Sequence, residues 1–291
     1  MLVWLNGRVV TARDARVSAL DRGLLHGDGA YDTWRTYGGR PFAVAAHVAR
    51  LASVARVLGL PSPGPAAAWA ERSRRLVTRT GLGDAAVRLT LTRGAAGETL
   101  VPERRAPPTR LLTVRSLPRD LVRRQMEGVA VVLLPFPRDA GPPWGGLKLL
   151  GHASAVVGRR LAARRGAAEA LYVTPDDEVT EATTANLFVV ERRRLVTPPL
   201  AAGILPGVTR AIVLRLARGA GLTVAEEPIA VRRLRRATEV FLTASTVEVL
   251  PVVSVESRRV GDGRPGYVTR LLQARYAAHV ATTLGTRPPS H

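Results

Sequence analysis

Cysteine is absent from the 291 residues, which excludes disulfide frameworks, thiol nucleophiles and thiolate-bound metal. No metal site is expected. No apolar run reaches the ~18 residues that a membrane span needs, so no membrane partner is expected either. Met1 to Arg8 lacks the layout of a signal peptide, and a soluble cytoplasmic protein is the expectation. Aromatic residues make up only 4% of the chain, too few to suggest the stacking platforms of a single-stranded nucleic-acid binder. A net charge of +20 by itself favours polyanions. Yet the arginine pairs, among them Arg74-Arg75, Arg123-Arg124, Arg159-Arg160 and Arg232-Arg233, are scattered instead of gathered on one arm. They read as solvated faces, and a basic nucleic-acid-binding protein is only the remote alternative.

The most telling scarcity is lysine. Of 43 basic residues one is Lys, at position 148, in a chain that also has only two Asn (Asn6 and Asn186) and three Ile. A bias toward Arg removes every lysine that Arg can imitate. What Arg cannot do is lose its proton near neutral pH and form an imine with a carbonyl. Chance survival of Lys148 is the alternative, and the surrounding segments have to decide.

What is present is ample for a folded enzyme: 46% hydrophobic residues, and a length that suits two domains. Leu2 to Val10 reads as a hairpin about Asn6-Gly7. Helices are expected over His47 to Leu58 and Pro65 to Arg79, with strands at Ala86–Thr92 and Thr109–Leu117. A boundary near Pro118 gives a small N-terminal α/β domain, 1–118, and a larger β-rich C-terminal domain, 119–291, that carries Lys148. In the second part Gly128 to Leu134 reads as a β-rich run and Pro135 to Gly146 as a loop. Helices follow at Ala153 to Arg165, Gly207 to Arg218 and Tyr267 to Leu284, with strands between them. The fold class expected is α+β.

If Lys148 forms an imine, pyridoxal 5'-phosphate is the natural aldehyde partner. It calls for a carboxylate at its pyridine nitrogen and a cradle for its phosphate. Gly203 to Arg210 opens a helix after a Gly/Pro turn and leaves a hydroxyl, Thr209, in its first turn, where an anion is favoured. Glu181, within Val179 to Phe188, lies on a strand among small neutral residues. The same patterns also suit an ordinary helix start and a strand-edge glutamate.

Lys148, Glu181 to Phe188, Gly203 to Arg210 and Phe241 to Val252 occur in an order and spacing that resemble the fold-type IV pyridoxal-phosphate enzymes. That class comprises branched-chain and D-amino-acid aminotransferases, (R)-selective amine transaminases and aminodeoxychorismate lyase. Asp21 to Tyr31 and His47 to Leu51 resemble its N-terminal signature. The resemblance implies that Lys148 holds the cofactor and moves the proton, and that Glu181 pairs with the pyridine nitrogen. It assigns the phosphate to Arg50, to the N–H groups of Val208 and Thr209, and to the hydroxyls of Thr209 and Thr246, and it counts Ser245 among the cofactor-binding residues. Leu205 would lie against the ring. Tyr31 would line the substrate side, with Arg35 and Arg88 as candidates for a substrate carboxylate. Ala95 to Leu100 lacks the Arg and His of the D-amino-acid enzymes, and His152 is a further departure. The expected function is transfer of an amino group between an amino acid or amine and a keto acid, in a homodimer built largely by the first domain. A lyase that releases pyruvate and 4-aminobenzoate is the alternative.

Overall fold

The computed structural model describes residues 1–137, 144–192 and 194–286. Residues 138–143 of the expected loop, Arg193 and residues 287–291 of the expected C-terminal domain lie outside the described residues. Two compact units emerge. The first holds Met1–Leu117 together with Leu147–Gly151; the second holds Pro118–Gly146 and the chain from His152 onward. Lys148 therefore packs with the first unit, whereas the sequence assigns it to the C-terminal domain. The reason is non-local strand pairing, described below.

In the first unit β1 (Leu2–Leu5) and β2 (Arg8–Thr11) form the expected hairpin, with Asn6 and Gly7 both at positive φ. After the short helix α1 (Arg22–Leu25) come β3 (Gly29–Tyr37) and β4 (Arg40–Pro41). Two longer helices follow, α2 (Val44–Val57) and α3 (Ala66–Thr80), then β5 (Ala85–Thr92) and β6 (Arg110–Ser116). The sheet runs β2-β1-β6-β5-β3-β4 and is antiparallel throughout. Alternation puts Ala30 and Trp34 of β3 and Val87 and Leu89 of β5 into one core with Val48, Leu51 and Val54 of α2 and Trp69, Leu76 and Val77 of α3. Tyr31 pairs with Thr90 and Thr33 with Arg88, so these four side chains share the opposite face.

Asp32 shares the helix-side face of β3 with Ala30 and Trp34 and is fully buried. Its carboxylate accepts from His47 Nδ1 at 2.8 Å and from Arg50 Nε and Nη2, each at 2.8 Å. A lone buried carboxylate is costly, and paired with a charged guanidinium it becomes a joint between strand and helix. Burial raises the Asp32 carboxyl, but the hydrogen bonds from His47 and Arg50 outweigh it and hold the group well below its ordinary value. Burial lowers the His47 imidazole, Asp32 opposes this, and the charges of Arg50 and Lys148 lower it further.

The second unit begins with α4 (Leu121–Glu127), which the sequence reading lacks, and β7 (Val129–Leu133). Then come α5 (Ala153–Arg164), β8 (Glu169–Val173), β9 (Glu178–Ala182), β10 (Asn186–Glu191) and β11 (Arg194–Thr197). A single 3-10 turn at Leu200–Ala202 leads to α6 (Val208–Gly219), β12 (Thr223–Glu226), β13 (Ile229–Ala230) and α7 (Val231–Leu234). The chain continues through β14 (Glu239–Ala244), β15 (Glu248–Val255), β16 (Arg258–Arg259) and α8 (Tyr267–Leu284). Strands β10, β14, β15, β7, β8 and β9 pair in that order, and β9 returns to β10 through Glu181 and Asn186. The result is a closed ring of six strands around Val131, Leu171, Val179, Leu187, Val189, Leu242 and Val252. Outside the ring, Phe188 and Phe241 stack with centroids 4.9 Å apart. Glu239 caps α8 by accepting from the N–H groups of Val268 and Thr269 at 2.9 and 2.7 Å. Among the described residues no helix is long and apolar enough to cross a membrane.

Asp32 and His47 both bind their protons more weakly in the folded chain than in the unfolded one, so acid favours unfolding. The His47 contribution is complete above its ordinary value of 6.5 and is lost as pH falls below it; that of Asp32 follows below 3.8. His47→Asn keeps a donor for Asp32 but does not titrate. Urea-denaturation free energies of the native protein should therefore fall more steeply than those of His47→Asn between pH 7 and pH 5. Parallel profiles would show that the imidazole does not carry this loss.

Candidate active site

Lys148 reaches its place through the backbone. Leu149 bridges Ala30 in antiparallel fashion, Tyr31 N–H donates to Lys148 O at 3.1 Å, and Leu150 N–H donates to Gly29 O at 3.2 Å. The segment thus adds itself to the β3 edge. Gly29 permits this approach: a Cβ there would lie 2.6 Å from both Leu150 Cδ1 and Leu91 O. Leu147 and Leu149 pack against the helix-side core, and alternation turns Lys148 to the other face, beside Tyr31. Its Nζ stands 4.5 Å from the Tyr31 ring centroid, and Arg88 Cζ stands 3.6 Å from the same centroid. Burial lowers the Arg88 guanidinium from its ordinary value, as does the charge of Arg115, with Tyr31 opposing. Two cations at one buried ring make a place where a carboxylate is favoured.

Arg35 lies on the same face as Tyr31 but does not join this cluster. Its Nη2 donates to Asp84 at 2.8 Å, and its guanidinium covers the Tyr37 ring at 4.4 Å, toward the far end of β3. Arg50, from α2, is held by Asp32 on the helix side of the sheet near the same end of β3 as Tyr31. Ala95 to Leu100 forms a loop whose carbonyls at Gly97, Thr99 and Leu100 accept from the buried Arg22 guanidinium.

In the second unit Glu181 is 5% exposed, at the seam where the ring closes. Its Oε2 accepts from Asn186 Nδ2 at 3.1 Å and from Leu205 N–H at 3.0 Å. The 203–207 turn thereby reaches the carboxylate and leads straight into α6, whose N-cap, Gly207, has no side chain to satisfy the first N–H groups. Thr209 is buried and Val208 half-buried in that first turn. Arg210, by contrast, is structural: its Nη2 donates to Pro198 O at 2.9 Å and to Glu226 at 2.8 Å. Thr243 of β14 pairs with Asn186, so Ser245 and Thr246, in the turn after β14, lie at the same end of the ring as Glu181. His152 stands at the N-cap of α5.

Each unit thus presents a set of its own: Lys148, Tyr31, Arg88 and Arg50 in the first; Glu181, Leu205, the α6 N-terminus and the Ser245-Thr246 turn in the second. Sequence reasoning missed Asp32 as the partner of Arg50 and Asn186 as the partner of Glu181. A signal for each was available. Asp32 interrupts the apolar alternation of Ala30 and Trp34, and Asn186 is one of two asparagines in the chain.

The family model described as Amino-transferase class IV matches residues 29–255. A putative branched-chain-amino-acid aminotransferase of Methanocaldococcus jannaschii is 31% identical over 276 residues, covering 95% of each chain. A D-alanine aminotransferase of Staphylococcus aureus is 30% identical over 281 residues, covering 96% of this chain and 97% of its own. Among solved structures, the PLP-bound form of a hypothetical aminotransferase from Mycobacterium tuberculosis superposes with a TM-score of 0.83 at 25% identity, covering 96% of this chain and 100% of its own. The α+β fold agrees with these matches, and the chain belongs to the class IV aminotransferase family and is an aminotransferase.

Proposed function

We propose that this enzyme uses pyridoxal 5'-phosphate, held by Lys148, to move an amino group from a carboxylate-bearing amino donor to a keto acid, as a cytoplasmic homodimer. The observation that carries the reading is the sole lysine of the chain, fixed by backbone pairing beside Tyr31 and Arg88. The donor set suits the cofactor: one amine, one buried carboxylate, an arginine fixed along one edge by Asp32, and an uncapped helix N-terminus. When bound, the cofactor supplies an aldehyde that condenses with amines and a protonated ring that takes up the electron pair released at the substrate Cα.

The chain's residues do the rest. Lys148 Nζ would hold the cofactor and, as the free amine, would move a proton at the substrate Cα. Glu181 would hold the ring nitrogen of the cofactor, and Leu205 would shield the ring from water. Arg50, the N–H groups of Val208 and Thr209, and the hydroxyls of Thr209, Ser245 and Thr246 bind the phosphate. Arg88 orients the substrate carboxylate beside Tyr31. The role is proposed for Arg88 and not for Arg35, which is engaged with Asp84. The loop at Ala95 to Leu100 offers no arginine or histidine for a carboxylate, which favours a branched-chain-type donor over a D-amino acid.

The homodimer reading draws support from the first unit. Leu24, Leu100 and Val101 are 71, 81 and 75% exposed, and Arg22 stitches the two segments that carry them. Exposed apolar groups on a fixed loop suit a second copy of the chain.

Two outcomes follow. Lys148→Ala should lower transamination between branched-chain donors and 2-oxoglutarate by at least ~10³-fold while the thermal midpoint holds, and Lys148→Arg should not rescue it. Pyruvate release without any keto-acid acceptor would indicate the lyase instead. Leu24→Glu combined with Leu100→Glu should convert a salt-resistant dimer into a monomer in sedimentation. A fully active monomer at low and high salt alike would overturn the dimer.

A further inference from the structure

Asn186 does two jobs at one place in the fold. Its backbone provides the register pair that joins β10 to β9, and its side chain reaches the carboxylate of the residue it pairs with. Asn186 and Glu181 are 3 and 5% exposed, so their hydrogen bonds form where water does not compete. The amide nitrogen has two hydrogens, and both are used: Nδ2 donates to Glu181 Oε2 at 3.1 Å and to Leu205 O at 2.8 Å. Leu205 N–H donates to the same Oε2 at 3.0 Å, which closes a cycle of three hydrogen bonds among a strand end, a second strand and the turn that opens α6.

The cycle has one solution for its side chain. A flipped amide would set Oδ1 against two acceptors, the Glu181 carboxylate and the Leu205 carbonyl. Serine is too short to reach both partners, and aspartate would bring a second negative charge without donors. The space around the amide is equally specific. A Cβ on Gly207 would fall 2.0 Å from Asn186 Oδ1, so the glycine at the α6 N-cap leaves room for the asparagine. In a chain with only two asparagines, one occupies this position.

We propose that Asn186 is the positioning residue of the ring-binding carboxylate: its amide ties Glu181 to the backbone of the 203–207 turn, so that carboxylate and turn hold the cofactor as one rigid piece. The proposal rests on the reading of Glu181 as the partner of the pyridine nitrogen. Asn186 acts through Glu181 and need not touch cofactor or substrate.

The test is a double-mutant cycle on the holoenzyme, with Asn186→Ala, Glu181→Gln and the pair, read as the rate of pyridoxal 5'-phosphate release. Asn186→Ala should speed release roughly tenfold to a hundredfold in the native background, as expected for lost hydrogen bonds to a charged group, but about threefold or less in the Glu181→Gln background. Equal acceleration in both backgrounds, or none in the native one, would overturn the positioning role. If Asn186→Ala does not fold, Gly207→Ala applies the same test by crowding the amide. Its effect should likewise vanish with Glu181→Gln, and an effect that persists would place the damage in the phosphate cradle and overturn the proposal. A wild-type protein that binds no pyridoxal 5'-phosphate would sink the functional reading and this inference together, whereas a null cycle in a cofactor-binding protein sinks only the inference.

Discussion

The site depends first on a backbone clip two hydrogen bonds long. Residues 147–151 leave the second unit, pair with the β3 edge of the first through Gly29, Ala30 and Tyr31, and return. The pairing fixes register, and register fixes which way each side chain points. A slip of one residue would turn Lys148 into the helix-side core and put a leucine beside Tyr31. Leu147 and Leu149 guard against that slip, since each has an apolar core to lose. The Lys148 amine is held by its neighbours' burial as much as by its own contacts.

Two buried carboxylates show how differently one chemical group can be used. Asp32 meets a guanidinium and an imidazole and is locked in the ionised state, a joint between β3 and α2. Removal of such a partner typically costs about 3–5 kcal/mol, because the remaining charge is stranded. Glu181 accepts from Asn186 Nδ2 and from Leu205 N–H at a ring seam, contacts that orient the carboxylate.

Much of this was legible in the sequence wherever the pattern is local. Tyr267 to Leu284 has the bounds expected of it, and the hairpin about Asn6-Gly7 and the strand Ala85–Thr92 fall within a residue of expectation. Helix α4 was not legible because its pattern misleads: only Leu121 is buried, while Val122 and Met126 are 67 and 60% exposed. Ring closure and the attachment of Lys148 to the first unit were hidden for another reason. Each is a pairing between distant strands, and nothing local in Leu147 to Gly151 says which edge it meets. The candidate lysine stands out by type, as one lysine among 43 basic residues. The supports Asp32 and Asn186 do not, because a hydrogen bond across two elements leaves no period in the chain.

The central claim is that Lys148 holds the cofactor, and a one-lysine chain makes it unusually easy to test. Lys148 is the sole lysine of the 291 residues and so their sole side-chain primary amine. Borohydride reduction of the protein with bound pyridoxal 5'-phosphate, followed by peptide mapping, therefore has few possible answers. The account predicts the pyridoxyl group on the peptide that contains Lys148. Label on any other peptide, or no label on a protein that transaminates, would contradict it.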